Sequence, residues 1–170
     1  GRSFQNYGIS FTEPWLGGRK PQSLTVSANK SISRYSTDGT FNNLTSSLKV
    51  DNISVGFGRV LKWPDDFFTL MNTASYTIYS VKNVNPATYG LGCSTCSSYG
   101  FKINTTIARN SIDDPMYPKS GSTISLSVDL TPPYSSWRNI DYSTASTEQK
   151  YKYVEYHKWM FDTKFYIPLD

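Results

Sequence analysis

Apolar and polar residues alternate with a period of two along almost the whole chain, and a helical period appears almost nowhere. Tyr7, Ile9 and Phe11 alternate with Gly8, Ser10 and Thr12. Leu24, Val26 and Ala28 alternate with Thr25, Ser27 and Asn29, and the pattern continues to Tyr35. Ile53, Val55, Phe57, Arg59 and Leu61 form the next apolar-led parity, and Phe68, Leu70, Ala74, Tyr76 and Ile78 the one after. Phe101, Ile103, Thr105 and Ile107 then alternate with Lys102, Asn104, Thr106 and Ala108. Ile124, Leu126, Val128 and Leu130 alternate with Ser125, Ser127 and Asp129. A final strand is expected over 151–167, with Tyr151, Tyr153, Trp159, Phe161, Phe165 and Ile167 on one parity. Lys152, Lys158, Asp162 and Lys164 take the other, and Glu155 and His157 interrupt the apolar parity near its start. Seven amphipathic strands follow from this pattern.

The connections are of two kinds, in strict alternation. Those at 14–22, 63–66 and 111–120 are short and rich in proline, glycine or aspartate; those at 36–49, 82–99 and 132–149 are long and polar. Pro14, Trp15, Gly17 and Gly18 mark the first short turn, and Trp63, Pro64, Asp65 and Asp66 the second. Asp113, Asp114, Pro115, Tyr117, Pro118 and Gly121 mark the third. Short turns on one side and long loops on the other are the grammar of a transmembrane β-barrel, with the short turns periplasmic. A tilted membrane strand needs about 9–11 residues, which these runs provide. Aromatics gather at both ends, as bilayer interfaces favour: Trp15, Trp63, Phe67, Phe68 and Tyr117 by the short turns, and Tyr35, Tyr134 and Trp137 by the long loops. On this reading Ile103, Ile107, Ile124, Leu126, Val128, Leu130, Trp159, Phe161 and Phe165 face lipid. The same alternation also builds soluble antiparallel sandwiches. An odd strand number suits neither fold, because an open sheet in lipid leaves unpaired backbone at both edges. The fold class expected is therefore all-β: about seven strands of a larger antiparallel up-and-down transmembrane barrel.

Composition narrows the chemistry. Charged residues are 18% of the 170 and aromatics 15%, where a soluble domain carries about 25% charged residues. The net charge of +4 is scattered, with no basic run of the kind that binds nucleic acid. No stretch approaches the roughly 18 apolar residues of a membrane helix. The chain starts in mid-pattern with GRSFQNYG and no signal segment, so it is expected to follow processing or to be a piece of a longer one. Paired carboxylates at Asp65–Asp66 and Asp113–Asp114 could serve acid–base chemistry or a cation. Beside prolines they read better as turn caps. His157 stands alone and reads as a bystander rather than a pH switch. No G-x-S-x-G turn occurs. Cys93 and Cys96 form one CxxC pair with no second pair and no nearby histidine. They read as a local disulfide or two loop thiols, ahead of a redox or metal role. No catalytic, cofactor or metal residues are assigned, and no enzyme activity is expected.

Five segments, in order, carry a family resemblance: FTEPWLGGRKPQSLTVS (11–27), GFGRVLKWPDDFFTL (56–70), RNSIDDPMYPKSGSTISLS (109–127), LTPPYSSW (130–137) and KYVEYHKWMFDTKFYIPL (152–169). Together they resemble the barrel of the BamA family of outer-membrane protein assembly factors, in its Bacteroidota form. The resemblance implies that residues 1–170 are one partial barrel domain, about strands four to ten of sixteen, integral to a bacterial outer membrane. It implies unfolded outer-membrane proteins as clients, accessory assembly subunits including lipoproteins as partners, contact with outer-membrane lipids, and no cofactor. Clients would be templated by pairing with an opened seam, a form of strand addition. The family's POTRA domains, its seam strands and its loop with an Arg-Gly-Phe motif are not among these residues, so none of its functional residues is carried over. Two rivals use the same strands: an outer-membrane channel or receptor, and a soluble sandwich binding carbohydrate through Tyr and Trp.

Overall fold

The computed structural model describes residues 3–18, 22–36, 44–85, 93–138, 141, 143–150 and 152–168. Seven strands form one antiparallel sheet in sequence order: β1 (Phe4–Glu13), β2 (Gln22–Tyr35), β3 (Ser46–Val60), β4 (Phe68–Lys82), β5 (Cys96–Asn110), β6 (Gly121–Leu130) and β7 (His157–Tyr166). Every pairing keeps an unbroken register, so directly opposed residues share a face across the sheet.

Two differences from the sequence reading stand out. β3, β4 and β5 each have 15 residues, longer than the alternation alone marks. The extra residues lie on the long-loop side. There Ser46–Val50 and Val81–Lys82 continue the ladders past the point where apolar and polar residues swap faces, and Cys96–Tyr99 extends β5 alongside β4. The last strand, in turn, starts at His157 and not near 151. The cause lies in β6, which stops at Leu130 because Pro132 and Pro133 follow and can donate no ladder hydrogen bond. This leaves the first half of β5 without β6 beside it. Residues 152–154 take that place: the Tyr99 amide donates to the Lys152 carbonyl at 2.8 Å, and the Val154 amide to the Tyr99 carbonyl at 3.1 Å, in a parallel bridge. The chain then passes the end of β6, where the Thr131 amide donates to the Tyr156 carbonyl, and enters β7. Tyr151 lies outside the described residues.

The third long loop also holds two short helices, α1 (Tyr134–Arg138) and α2 (Thr147–Lys150). Ser146 and Gln149 cap α2 reciprocally: each backbone amide donates to the other's side chain. Tyr153 stacks on Tyr134 with ring centroids 4.7 Å apart, and the Arg138 guanidinium lies over its ring. Glu155 accepts both the backbone amide and the hydroxyl of Ser135. Cys93 and Cys96 are joined as a disulfide at the entry to β5.

The described residues bury little apolar surface. The accessible surface is 11987 Å², against about 8400 Å² expected of a compact 19 kDa domain. Among the described residues the buried hydrophobics are Ile32, Val81 and Val84. No described helix is long and apolar enough to cross a membrane.

Candidate membrane-facing surface and turn network

One face of the sheet, here called outward, carries the apolar parity. Its residues are Tyr7, Ile9 and Phe11; Leu24, Val26 and Ala28; Ile53, Val55 and Phe57; Leu70, Ala74, Tyr76 and Ile78; Phe101, Ile103 and Ile107; Ile124, Leu126, Val128 and Leu130; and Trp159, Phe161 and Phe165. All nine residues expected to face lipid therefore share one face. Several are strongly exposed, with Trp159 at 65% and Phe161 at 68%. Soluble monomers rarely expose so many large apolar side chains on one continuous face.

The apolar band drifts obliquely. Followed across the register, Phe161 is opposite Leu126, then Ile107, Leu70, Arg59 and Gln22. That path reaches β1 about six residues beyond the apolar centre at Ile9. Six residues of about 3.3 Å, set against six strand spacings of about 4.8 Å, correspond to a tilt of about 35°. A level band thus requires the strand tilt of a membrane barrel.

The opposite, inward face is a hydrogen-bonded polar lattice. Ser27 pairs with Ser54 at 2.7 Å, the Asn52 amide donates to Thr77 at 2.8 Å, and Thr106 pairs with Ser127 at 2.7 Å. Asn104 donates to both Ser127 and Asp129, and Lys102 lies 3.5 Å from Asp129. Such side chains suit a wetted lumen. One polar pair instead sits amid the outward band, where Thr105 donates to Asn72 at 2.9 Å. The alternation hides it, because Asn72 and Thr105 look like ordinary polar strand residues until the register places them side by side.

The short turns are built by carboxylates. Glu13 accepts the Trp15 amide, Asp65 the Phe67 amide, and Asp114 the amides of Met116 and Tyr117. Asp113 spans the widest turn, accepting from Lys119 at 2.9 Å and Ser120 at 3.1 Å. Gly17 and Gly18 take the left-handed conformation at φ 65° and 70°, which side chains resist. Pro14, Trp15, Trp63, Pro64, Asp66, Pro115, Tyr117 and Pro118 all lie in these connections. Gly121 is placed one step further on, as the first residue of β6. Among the described residues no carboxylate, histidine or cysteine group is arranged to hold a metal ion.

The Ser120 and Lys119 amides hold the Asp113 carboxyl below the usual carboxylate range. A depressed folded-state pKa makes the contribution complete above the ordinary carboxylate pKa, and it is lost as pH falls through the lowered value. Protease cutting within 113–120 should therefore stay constant from neutral pH down to the ordinary carboxylate range and rise only below it. In Asp113→Ala, cutting should already be high at neutral pH.

Arg109 stands at the short-turn end of β5. Its Nε donates to Asp65 at 2.9 Å and its Nη1 to the hydroxyls of Ser111 and Ser122 at 2.7 and 3.0 Å, while the guanidinium lies over Phe67. One side chain thus ties the second short turn to the third. Both ionic partners are partly exposed, so screening limits the pair. Arg109→Ala should cost about 1–2 kcal/mol through the lost hydrogen bonds, and Arg109→Lys, which cannot reproduce the fork, should recover less than half. Urea titrations of the folded barrel measure both.

The family model described as the Omp85 superfamily domain matches residues 1–170. No curated protein matches the chain. Among solved structures, BamA from Haemophilus ducreyi lacking POTRA domains 1–3 is similar in fold, with a TM-score of 0.54 at 18% identity. That likeness covers 78% of this chain and 26% of the other, so the segment spans about a quarter of that relative. Seven consecutive antiparallel strands, one apolar face, and a family match from end to end agree: the chain belongs to the Omp85 superfamily, whose members are outer-membrane β-barrel proteins, and it has the fold of part of a BamA barrel.

Proposed function

We propose that residues 1–170 form part of the wall of a BamA-type barrel that folds and inserts other β-barrel proteins into the outer membrane. The observation that carries this reading is the continuous outward apolar band, tilted as a barrel wall requires, on a chain matched throughout by the Omp85 model. The outward face meets lipid, the polar lattice lines the lumen, the short turns face the periplasm and the long loops face outside. β1 and β7 each have a single neighbour in the sheet. In lipid both outer edges need partners, which further strands of a sixteen-stranded barrel supply. Clients are unfolded outer-membrane proteins, and accessory subunits, lipoproteins among them, assemble around the barrel. The work uses strand pairing and no bond chemistry.

Depletion of the full-length protein tests this reading. Folded forms of unrelated outer-membrane barrels should disappear together. If those barrels persist and only solute uptake fails, the protein is a channel. Orientation is tested in intact cells with single cysteines at Trp137 and Tyr117. An impermeant maleimide should label the first and spare the second.

A further inference from the structure

The outward face changes character abruptly on the long-loop side. Up to Ala28 on β2 and Ile53 on β3 it is apolar; the next outward positions are Lys30 and Asp51, which pair at 3.0 Å. Beyond them the two faces exchange roles. Leu48, Val50, Tyr79 and Val81 point inward, Val81 and the adjoining Val84 are buried, and the outward positions become Arg34, Lys49 and Lys82 with Ser47, Ser80 and a buried Ile32 between them. A sheet that reverses its polarity in this way has left the lipid and entered the headgroup layer.

The cations there are grouped around Lys49. Ile32 and Ser80 flank it directly, while Lys30, Arg34 and Lys82 occupy diagonal positions on the two neighbouring strands. Diagonal neighbours on one face lie about 7–8 Å apart. Four cations thus share one small outward area with a single carboxylate, Asp51, among the described residues of these rows. Lys30 is engaged by Asp51 and Arg34 donates to Gln5, whereas Lys49 and Lys82 make no ion pair among the described residues. Lys30, Lys49 and Lys82 are exposed. Like charges this close repel one another unless an anion is shared between them, and long stems let the amino groups reach along the membrane surface.

We infer that the patch of Lys30, Arg34, Lys49 and Lys82 binds phosphate groups of anionic lipids in the leaflet facing the long loops. Its position argues for a lipid as the source of the phosphate. The patch starts one alternate residue above the apolar band, on the same face, at the depth of headgroups. This inference rests on the proposed lipid-facing orientation of that band.

The test uses the full-length protein in detergent, titrated with diphosphoryl lipid A, with phosphatidylethanolamine and with inorganic phosphate, and read by native mass spectrometry. The wild type should retain lipid A in preference to phosphatidylethanolamine. Lys49→Gln combined with Lys82→Gln should reduce that retention roughly tenfold or more, since each surface cation contributes substantially to anionic-lipid attraction. Lys62→Gln with Lys119→Gln, on the short-turn side, should leave it unchanged. Unchanged retention in the first pair, an equal loss in the second pair, or displacement of lipid A by millimolar inorganic phosphate would overturn the inference. A nitroxide on Val55→Cys separates the two readings. Access by a water-soluble quencher overturns the lipid-facing reading itself, whereas a lipid-buried nitroxide with unchanged retention overturns the patch alone.

Discussion

Leu126→Arg in the full-length barrel should destabilise it by about 2–4 kcal/mol, the cost of an arginine near the bilayer midplane on the lipid face. Leu126 is outward, between Ile107 on β5 and Phe161 on β7. Its outward neighbours on β6, Ile124 and Val128, are apolar too, so a guanidinium has no nearby carboxylate and a long way to either interface. Ser127 is one residue further on and inward, hydrogen-bonded to Asn104 and Thr106. Ser127→Arg forfeits those bonds but leaves its charge in a polar, wetted setting near Asp129, and should cost about 1 kcal/mol. A urea folding titration in lipid vesicles compares the two directly. Equal losses would mean that both faces meet the same medium, and the membrane assignment would fall.

Gly121→Ala should cost about 3 kcal/mol or more, although it adds only one methyl group. Gly121 has φ 108°, where an L side chain is strained. A Cβ there would lie 2.2 Å from the Ser111 carbonyl oxygen and 2.8 Å from Ile112 Cα. Both obstacles are backbone, fixed by the hydrogen bond from the Ser111 amide to the Ser122 carbonyl that closes the hairpin. Relief therefore requires opening the turn and losing the anchor that Ser122 gives Arg109. Gly17→Ala is the control: it too has positive φ, but nothing lies within 4 Å of its added Cβ. It should cost about 1 kcal/mol. Loss of the heat-resistant folded band in gels, followed against urea, gives both values.

Strand number, order, faces and turn positions were all legible in the sequence, since a period of two states which side each residue takes. Loop lengths then suggested which end is which. The ends of the strands were harder to read. Leu48, Val50 and Val81 are apolar, and counting apolar residues as outward breaks the pattern at the point where the faces swap. The basic patch was missed for the same reason: Lys30, Arg34, Lys49 and Lys82 are scattered in sequence, and the register alone collects them. The late start of β7 was hidden because Tyr153 falls on the apolar parity of Trp159 and Phe161, so residues that bridge to β5 look like one strand with those that pair with β6. The role of Arg109 depends on Asp65, Ser111 and Ser122 converging from two turns, which no linear spacing encodes.

The crossing of residues 152–156 over the end of β6 also sets an order of events. The β5–β6 hairpin closes across ten residues and can zip from its turn. The bridge from Tyr99 to Tyr153 closes a loop of about fifty residues, and its entropy is recovered only after β6 and the helices of the third loop are in place. It is therefore among the last contacts made. Held by two backbone hydrogen bonds and an aromatic stack instead of a full ladder, it is also among the first to release. The upper part of β5 is thus the place where this wall can open locally while its membrane-spanning ladder stays zipped.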